Sequence, residues 1–395
     1  MIRIAAIVLL VGSLVTPQVA EEPLPAGIQA ILDVRAAAVM SGDRTAFVAT
    51  ADRSAAEAQG RRFDGARSVG FSGYALRLRD DIAGDLSTAA IRARYTPARA
   101  VTVLVEVRTT FPAYDVEPAL VSDFLTFVER ADGWKVAGDS DLEGIGLLSS
   151  RELWDLGPVV QTASERVLLL SHPDGRARAE AILPIMETAL DREVKGLDIT
   201  WPEKVVVIVP SSVAELQRLL QSTVDLSNFV GFAYWSVDRT TATGFDLTAP
   251  RVILNPDTFF LADDTVREDI LTHELVHVAT RQVAGPGTSS WVDEGMADLV
   301  ATGPGTAPPP PDDALPEDWR FGSGGGTAIR DAYVRSRSFV AFLDTRAPDG
   351  ARRYYEELGR TVGRPGSRER LQDDAARAVF GRPLAELRAD WAGSG

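Results

Sequence analysis

Two of the three histidines in this 395-residue chain lie four positions apart, at His273 and His277, and Glu274 follows the first directly. On an α-helix, residues i and i+4 project from one face, a turn apart, so both imidazoles can reach a single metal ion. Glu274 is offset around the helix and can reach a water at that ion without taking a ligand position. In a chain of this composition the pattern arises by chance about once in a thousand chains. The alternative is a pair of surface histidines beside an incidental glutamate.

A hydrolytic zinc site takes three protein ligands and keeps one position for water. The chain has no Cys. That excludes thiolate zinc sites, disulfides, iron–sulfur clusters and a cysteine nucleophile. The remaining histidine, His172, lies far upstream and reads as an ordinary residue at a strand end. The third ligand is then a carboxylate. Ser290-Trp291-Val292-Asp293-Glu294-Gly295-Met296-Ala297-Asp298 opens a second helix after a loop. Running antiparallel to the first helix, it can aim Glu294 at the histidine pair. Asp298 lies one turn later on the same face, placed to accept the second N–H of His273 and fix its tautomer. A solvated helix charge is the alternative for Asp298. Asp293 is about 100° away around the helix and is expected to cap it or face solvent.

Both helices carry punctuation. Thr265 and Glu268 form a capping-box pattern, Leu271, Leu275 and Val278 continue an apolar stripe, and Gly285-Pro286 stops it. Ser290 and Asp293 offer a second capping box, and Gly303-Pro304 ends that helix. Upstream, 167–170 and 204–209 read as strands, and 174–194 as an amphipathic helix. Ser211 and Ser212 could cap a helix over 213–220, and 231–235 and 251–255 are further strands. Residues 303–326 hold Pro308 to Pro311 and Gly322, Gly324, Gly325 and Gly326, and read as a loop. It is either a surface connection or a lid over the adjacent site.

With this punctuation in place, His273-Glu274-x-x-His277 followed by Trp291-Val292-Asp293-Glu294-Gly295-x-Ala297-Asp298 resembles the gluzincins, the zinc peptidases that include thermolysin and the membrane alanyl aminopeptidases. It is most similar to bacterial peptidase MA-like proteins. The resemblance implies one zinc ion per chain held by His273, His277 and Glu294, with Glu274 as general base and Asp298 behind His273. It also implies a small mixed sheet plus a helical subdomain over residues 150–395. Tyr333, before an apolar helical run to Leu343, matches a tyrosine that holds the oxyanion in aminopeptidase relatives. A packed core tyrosine is the equal alternative. Gly231-Phe232-Ala233-Tyr234-Trp235 corresponds to the strand that binds substrate, but carries no Glu where aminopeptidase relatives grip the substrate amine. Gly231, Phe232 and Ala233 can still pair with an extended peptide through the backbone. The His277 to Glu294 spacing is slightly shorter than in well-known members, a change of loop length.

The amino-terminal half has a different texture. Residues 26–50 read as a helix broken at Ser41-Gly42-Asp43, with a polar stretch to Gly70. Period-two alternation over 75–79, 89–95, 101–108 and 124–130 reads as strands, and Asp132-Gly133 turns into a partner strand at 134–137. Helices followed by an antiparallel sheet make an α+β domain. This order, with its ending at Trp134-Lys135-Val136, resembles the nuclear transport factor two-like superfamily, a cone-shaped α+β fold of helices on a curved sheet. The resemblance implies an accessory domain over 25–145. It shows no acid/base set of its own.

Arg3, an apolar run from Ile4 to Val15 and a polar stretch after Ala20 read as an export signal over 1–20. The run falls short of the roughly 20 residues of a spanning helix. It is either cleaved, giving a secreted protein, or kept as an anchor at the cell surface. Net charge −15 argues against nucleic acid as the main partner. The expected function is an exported zinc peptidase acting on peptide or protein substrates. The alternative is a non-catalytic exported binding protein with a vestigial zinc site.

Overall fold

The computed structural model describes residues 24–395, except 198, 223–224, 228, 242–243, 282, 285–286, 306–311, 323–324, 362–363 and 395. The export signal, Gly285-Pro286 and Pro308 to Pro311 lie outside the described residues. Among those described, no helix is long and apolar enough to cross a membrane.

The architecture is α+β, with a curled antiparallel sheet and a second, mixed sheet. The chain opens with α1 (Ile28–Ser41), α2 (Arg44–Ala49) and α3 (Ala56–Ser68). Gly42 closes α1 at φ 81°, a left-handed conformation that suits glycine. β1 (Gly73–Leu78), α4 (Ala89–Tyr95), β2 (Ala100–Thr110), β3 (Ala119–Arg130) and β4 (Gly133–Gly138) follow. The four strands pair antiparallel in chain order. Ile28 and Leu32 of α1 are buried against Val103, Val105, Leu125, Phe127 and Val136 of the sheet.

Two expectations need correction here. Residues 89–95 are helix, not strand. Thr88 caps them by accepting from the Ile91 N–H at 3.2 Å, and Ile91 is the one buried residue. Ala and Arg favour a helix, and three spaced apolar residues cannot overrule them when no partner strand is adjacent. The polar stretch before Gly70 contains α3. It buries Phe63 and Ala66 but otherwise presents Gln59 and Arg62 inward, so no apolar stripe marks it. Arg62 binds Asp123 of β3, Asp139 at 3.2 Å and Asp155 at 3.1 Å.

The second sheet begins after α5 (Leu153–Leu156). It comprises β5 (Val160–Ala163), β6 (Val167–Ser171), β7 (Val205–Val209), β8 (Gly231–Thr241) and β9 (Gly244–Leu254), with α6 (Arg176–Leu197) and α7 (Val213–Leu219) between them. The spatial order is β5-β6-β7-β9-β8. β6, β7 and β9 run parallel, and β8 is an edge strand antiparallel to β9. The parallel strands read as unbroken apolar runs because both their faces are covered. Ser212 caps α7 as the sequence implies. The two sheets meet through buried contacts. Arg251 of β9 grips Asp115 with a bidentate pair at 2.6 and 2.9 Å, both side chains almost fully buried. The hydroxyl of Ser236 in β8 accepts from the Leu120 N–H at 2.8 Å.

From here the chain is helical: α8 (Pro256–Phe259), α9 (Asp264–Thr280), α10 (Ser290–Thr302), α11 (Trp319–Gly322), α12 (Gly325–Asp344), α13 (Gly350–Gly359), α14 (Arg368–Phe380) and α15 (Leu384–Ala392). The 303–326 segment is therefore not all loop, since α11 and the start of α12 fall inside it. α9 is the central helix; every residue from Ile270 to Thr280 is buried.

One buried acid has no counter-charge among the described residues. Glu193 of α6 is fully buried, accepts from Trp201 Nε1 at 3.1 Å, and leaves Oε1 unpartnered. Desolvation pushes its pKa up to about 8. A folded-state pKa above the unfolded value favours the protonated folded form, so this residue costs stability progressively as pH rises from about 4.5 to 8. Glu193→Gln keeps the acceptor for Trp201 and removes the titration. Its melting temperature should exceed that of the parent by several degrees at pH 9 and by much less at pH 5, measured by thermal unfolding. An equal gain at both values would contradict this.

Candidate metal centre

α9 supplies His273, Glu274 and His277, and α10 supplies Glu294 and Asp298. α9 starts one turn's fraction earlier than the sequence suggests. Asp263, not Thr265, is the cap, accepting from the Val266 N–H at 3.0 Å. The Ser290/Asp293 capping box does not form either. The Ser290 N–H goes to Asp318 at 2.9 Å, and Asp293 accepts from the Tyr355 hydroxyl. Asp293 does not cap the helix; it is half-buried, and Tyr355 holds its carboxylate. Gly303 ends α10 at φ 74°, as its position implies.

Three donors converge. His273 Nε2 lies 3.1 Å from His277 Nε2 and 3.1 Å from Glu294 Oε2, and His277 Nε2 lies 3.5 Å from the same oxygen. All three side chains are buried, and their ligand atoms fall within 4.8 Å of one another. This group could hold a metal ion. Asp298 Oδ1 lies 2.9 Å from His273 Nδ1. A proton on Nδ1 donated there leaves the Nε2 lone pair directed at the cluster. Glu294 beside both histidines and Asp298 beside His273 mean that the two helices run in opposite senses.

The electrostatics ask for a cation. Burial by itself lowers the His273 pKa, but hydrogen bonds to Asp298 and Glu294 outweigh it and raise the value to about 10. Burial raises Glu294, yet the charge of His277 and the hydrogen bonds of both histidines bring it down to about 2. Two imidazole nitrogens at 3.1 Å with both lone pairs facing inward repel unless a proton or a metal ion lies between them. The donor set, two nitrogens and one carboxylate oxygen, fits zinc.

Two buried polar groups beside the cluster make no well-formed hydrogen bond. Both carboxylate oxygens of Glu274 are buried, with the Ala233 N–H nearby but outside good hydrogen-bond geometry, and desolvation pushes its pKa up to about 7. Tyr333 sits within α12 rather than opening it. Its ring centroid is 6.2 Å from that of His273, and its buried hydroxyl lies near the Glu294 carboxylate without good hydrogen-bond geometry. Burial and the charges of Glu294 and Asp298 hold that hydroxyl well above its ordinary pKa. A polar atom is rarely buried unpaired, and such groups beside one cluster mark where a ligand belongs.

The expected substrate residues Gly231, Phe232 and Ala233 open edge strand β8; all three are buried, Phe232 and Ala233 completely. Gly231 fits tightly over Glu274, since a Cβ there would lie 3.0 Å from Oε1. The sequence passes over Arg281 and Trp235. Spacing would have found Arg281, which repeats the i+4 step once more beyond His277. His172 lies at the end of β6 with Nδ1 2.7 Å from the Pro158 carbonyl, away from the cluster. No protein-family model matches the chain, and no curated protein matches it.

The cluster should bind one divalent ion per chain, read by metal analysis after dialysis. His273→Ala, His277→Ala and Glu294→Ala should each lose it, and Asp298→Asn should weaken affinity about 10- to 100-fold. Retained stoichiometric metal in the three ligand variants would reject the site. The approach of α12 to α10 depends on Gly295, where a Cβ would lie 2.7 Å from the Ser336 carbonyl and 2.6 Å from Val340 Cγ2. Gly295→Ala should cost about 1–3 kcal/mol in denaturant unfolding; a neutral effect would contradict that packing.

Proposed function

We propose that this chain is an exported zinc-dependent peptidase of the gluzincin type, most similar to peptidase MA-like proteins. The observation that carries the proposal is the fully buried Glu274 carboxylate, lacking a well-formed hydrogen bond, beside the converging His273, His277 and Glu294. A structural acid in that position would have a hydrogen-bond donor. An acid that handles a proton from water must be left free.

In this reading His273, His277 and Glu294 hold the ion, and Asp298 orients His273. Zinc bound there supplies Lewis acidity, which polarises a peptide carbonyl and makes a water easier to deprotonate. Glu274 takes that proton as the water attacks and returns it to the leaving amine nitrogen. Tyr333 donates its hydroxyl hydrogen bond to the developing oxyanion. The β8 edge at Gly231 and Ala233 aligns an extended peptide by backbone hydrogen bonds, with Phe232 anchoring the strand from below. Gly231 is needed small so that Glu274 keeps its place. The helices and sheet over 25–145 are read as a nuclear transport factor two-like accessory domain, and 150–395 as the peptidase. The signal over 1–20 makes the protein secreted or, if retained, attached to the cell surface. Substrates are peptides or proteins.

Glu274→Gln should keep full zinc content and lose about 10²–10⁴-fold in hydrolysis of a peptide library followed by mass spectrometry. A chelator should abolish cleavage in the parent, and added zinc should restore it. Undiminished hydrolysis by the Gln variant would reject the mechanism.

A further inference from the structure

This inference rests on the peptidase reading of the same site and specifies its substrate chemistry. Arg281 follows His277 by one further turn, about 6 Å along the axis of α9. Its guanidinium carbon lies 5.5 Å from the ring centroid of Trp235. Trp235 lies on β8, two residues beyond Ala233. Two donors of this stack, Arg281 Nε and Trp235 Nε1, are buried without an acceptor. Among the described residues no carboxylate forms an ion pair with Arg281. Asp293 is the acid whose charge is felt there, and it is held by Tyr355. By contrast, Arg62 and Arg251, buried at the sheets, are both paired with carboxylates.

A half-buried guanidinium with no carboxylate partner, its buried Nε lacking an acceptor beside an unpaired indole N–H, suits an anionic ligand that accepts more than one hydrogen bond. A carboxylate has that charge and those acceptors. An extended peptide advances about 3.3 Å per residue, so 6 Å corresponds to about two residues from the histidine pair. We propose that Arg281 and Trp235 form a carboxylate-binding subsite beside the metal centre. It selects substrates with an acidic side chain, or a free terminal carboxylate, within two residues of the scissile bond.

The test uses the zinc-loaded full chain with two probes. The first is a set of quenched fluorogenic peptides carrying Glu or Gln at each position within two of the cleaved bond, and ending in a free acid or an amide. The parent should favour one carboxylate-bearing peptide over its neutral match by about tenfold or more in kcat/KM. A preference for Glu identifies a side-chain site, and one for the free acid a terminal-carboxylate site. Arg281→Ala should bring the ratio near one, Arg281→Lys should keep part of it, and Trp235→Phe should reduce it while retaining the ring. The second probe needs no turnover: hydroxamate-capped dipeptides with Glu, Gln, free-acid or amide ends, titrated by calorimetry. They should show the same selectivity, lost in Arg281→Ala. Cleavage without a carboxylate preference, or a preference unchanged in Arg281→Ala and Arg281→Lys, overturns this proposal and leaves the peptidase reading standing. Selective hydroxamate binding without any hydrolysis rejects the peptidase reading and supports the subsite. Failure of zinc to bind overturns both.

Discussion

Two imidazoles and a carboxylate, all buried, converge on one point, and their juxtaposition is tolerable only with positive charge among them. Everything around the cluster serves that constraint. α9 is buried along its second half, which removes His273 and His277 from bulk solvent. α10 must lie against it in the opposite sense to deliver Glu294 to both histidines and Asp298 to one. α10 in turn sits close to α12 because Gly295 has no side chain, which brings Tyr333 to the same place. A shift of any one helix would leave a buried charge without compensation.

Unpaired buried polar atoms occur in the scaffold too, at Arg35, Asp123 and Glu193, but five of them gather along α9, β8 and α12. Charges at the sheets are matched: Arg62 with Asp123, Asp139 and Asp155, and Arg251 with Asp115. Those pairs fix α3 on the curled sheet and the curled sheet on β9. Along α9, β8 and α12 the opposite holds. Glu274, Arg281, Trp235 and Tyr333 carry buried atoms with no well-formed hydrogen bond. Native cores keep such atoms few because each one costs its lost hydration. Their grouping beside a metal-competent cluster gives that cost a use, since a bound ligand can supply the missing partners.

The fold was legible where one element announces its own period. β2, β3 and the hairpin into β4 follow from alternation and from Asp132-Gly133. β7 follows from an apolar run that only a doubly covered strand can carry. α3 was not legible, because Gln59 and Arg62 face inward and their partners lie in distant segments. α4 reads as a strand in sequence because Ile91, Ala93 and Tyr95 alternate with Arg92 and Arg94, and seven residues are too few to tell that period from a helical one. Caps failed similarly. Thr265 and Ser290 satisfied a local pattern, but Asp263 and the distant Asp318 took the positions.

The sequence alone determined that two histidines share a helix face, that a missing Cys leaves a carboxylate as the candidate third donor beside them, and that Glu294 and Asp298 share a face one turn apart. These are consequences of helical period and composition, which need no knowledge of neighbours. Tertiary structure decided that Asp298 meets His273, that Asp293 belongs to Tyr355, that Tyr333 lies by the histidines, and that Arg281 is left unpaired on Trp235. Such facts depend on distances between elements, set by side-chain volume at crossings such as Gly295 on Ser336. A linear pattern carries no information about a gap of that kind until both surfaces are packed.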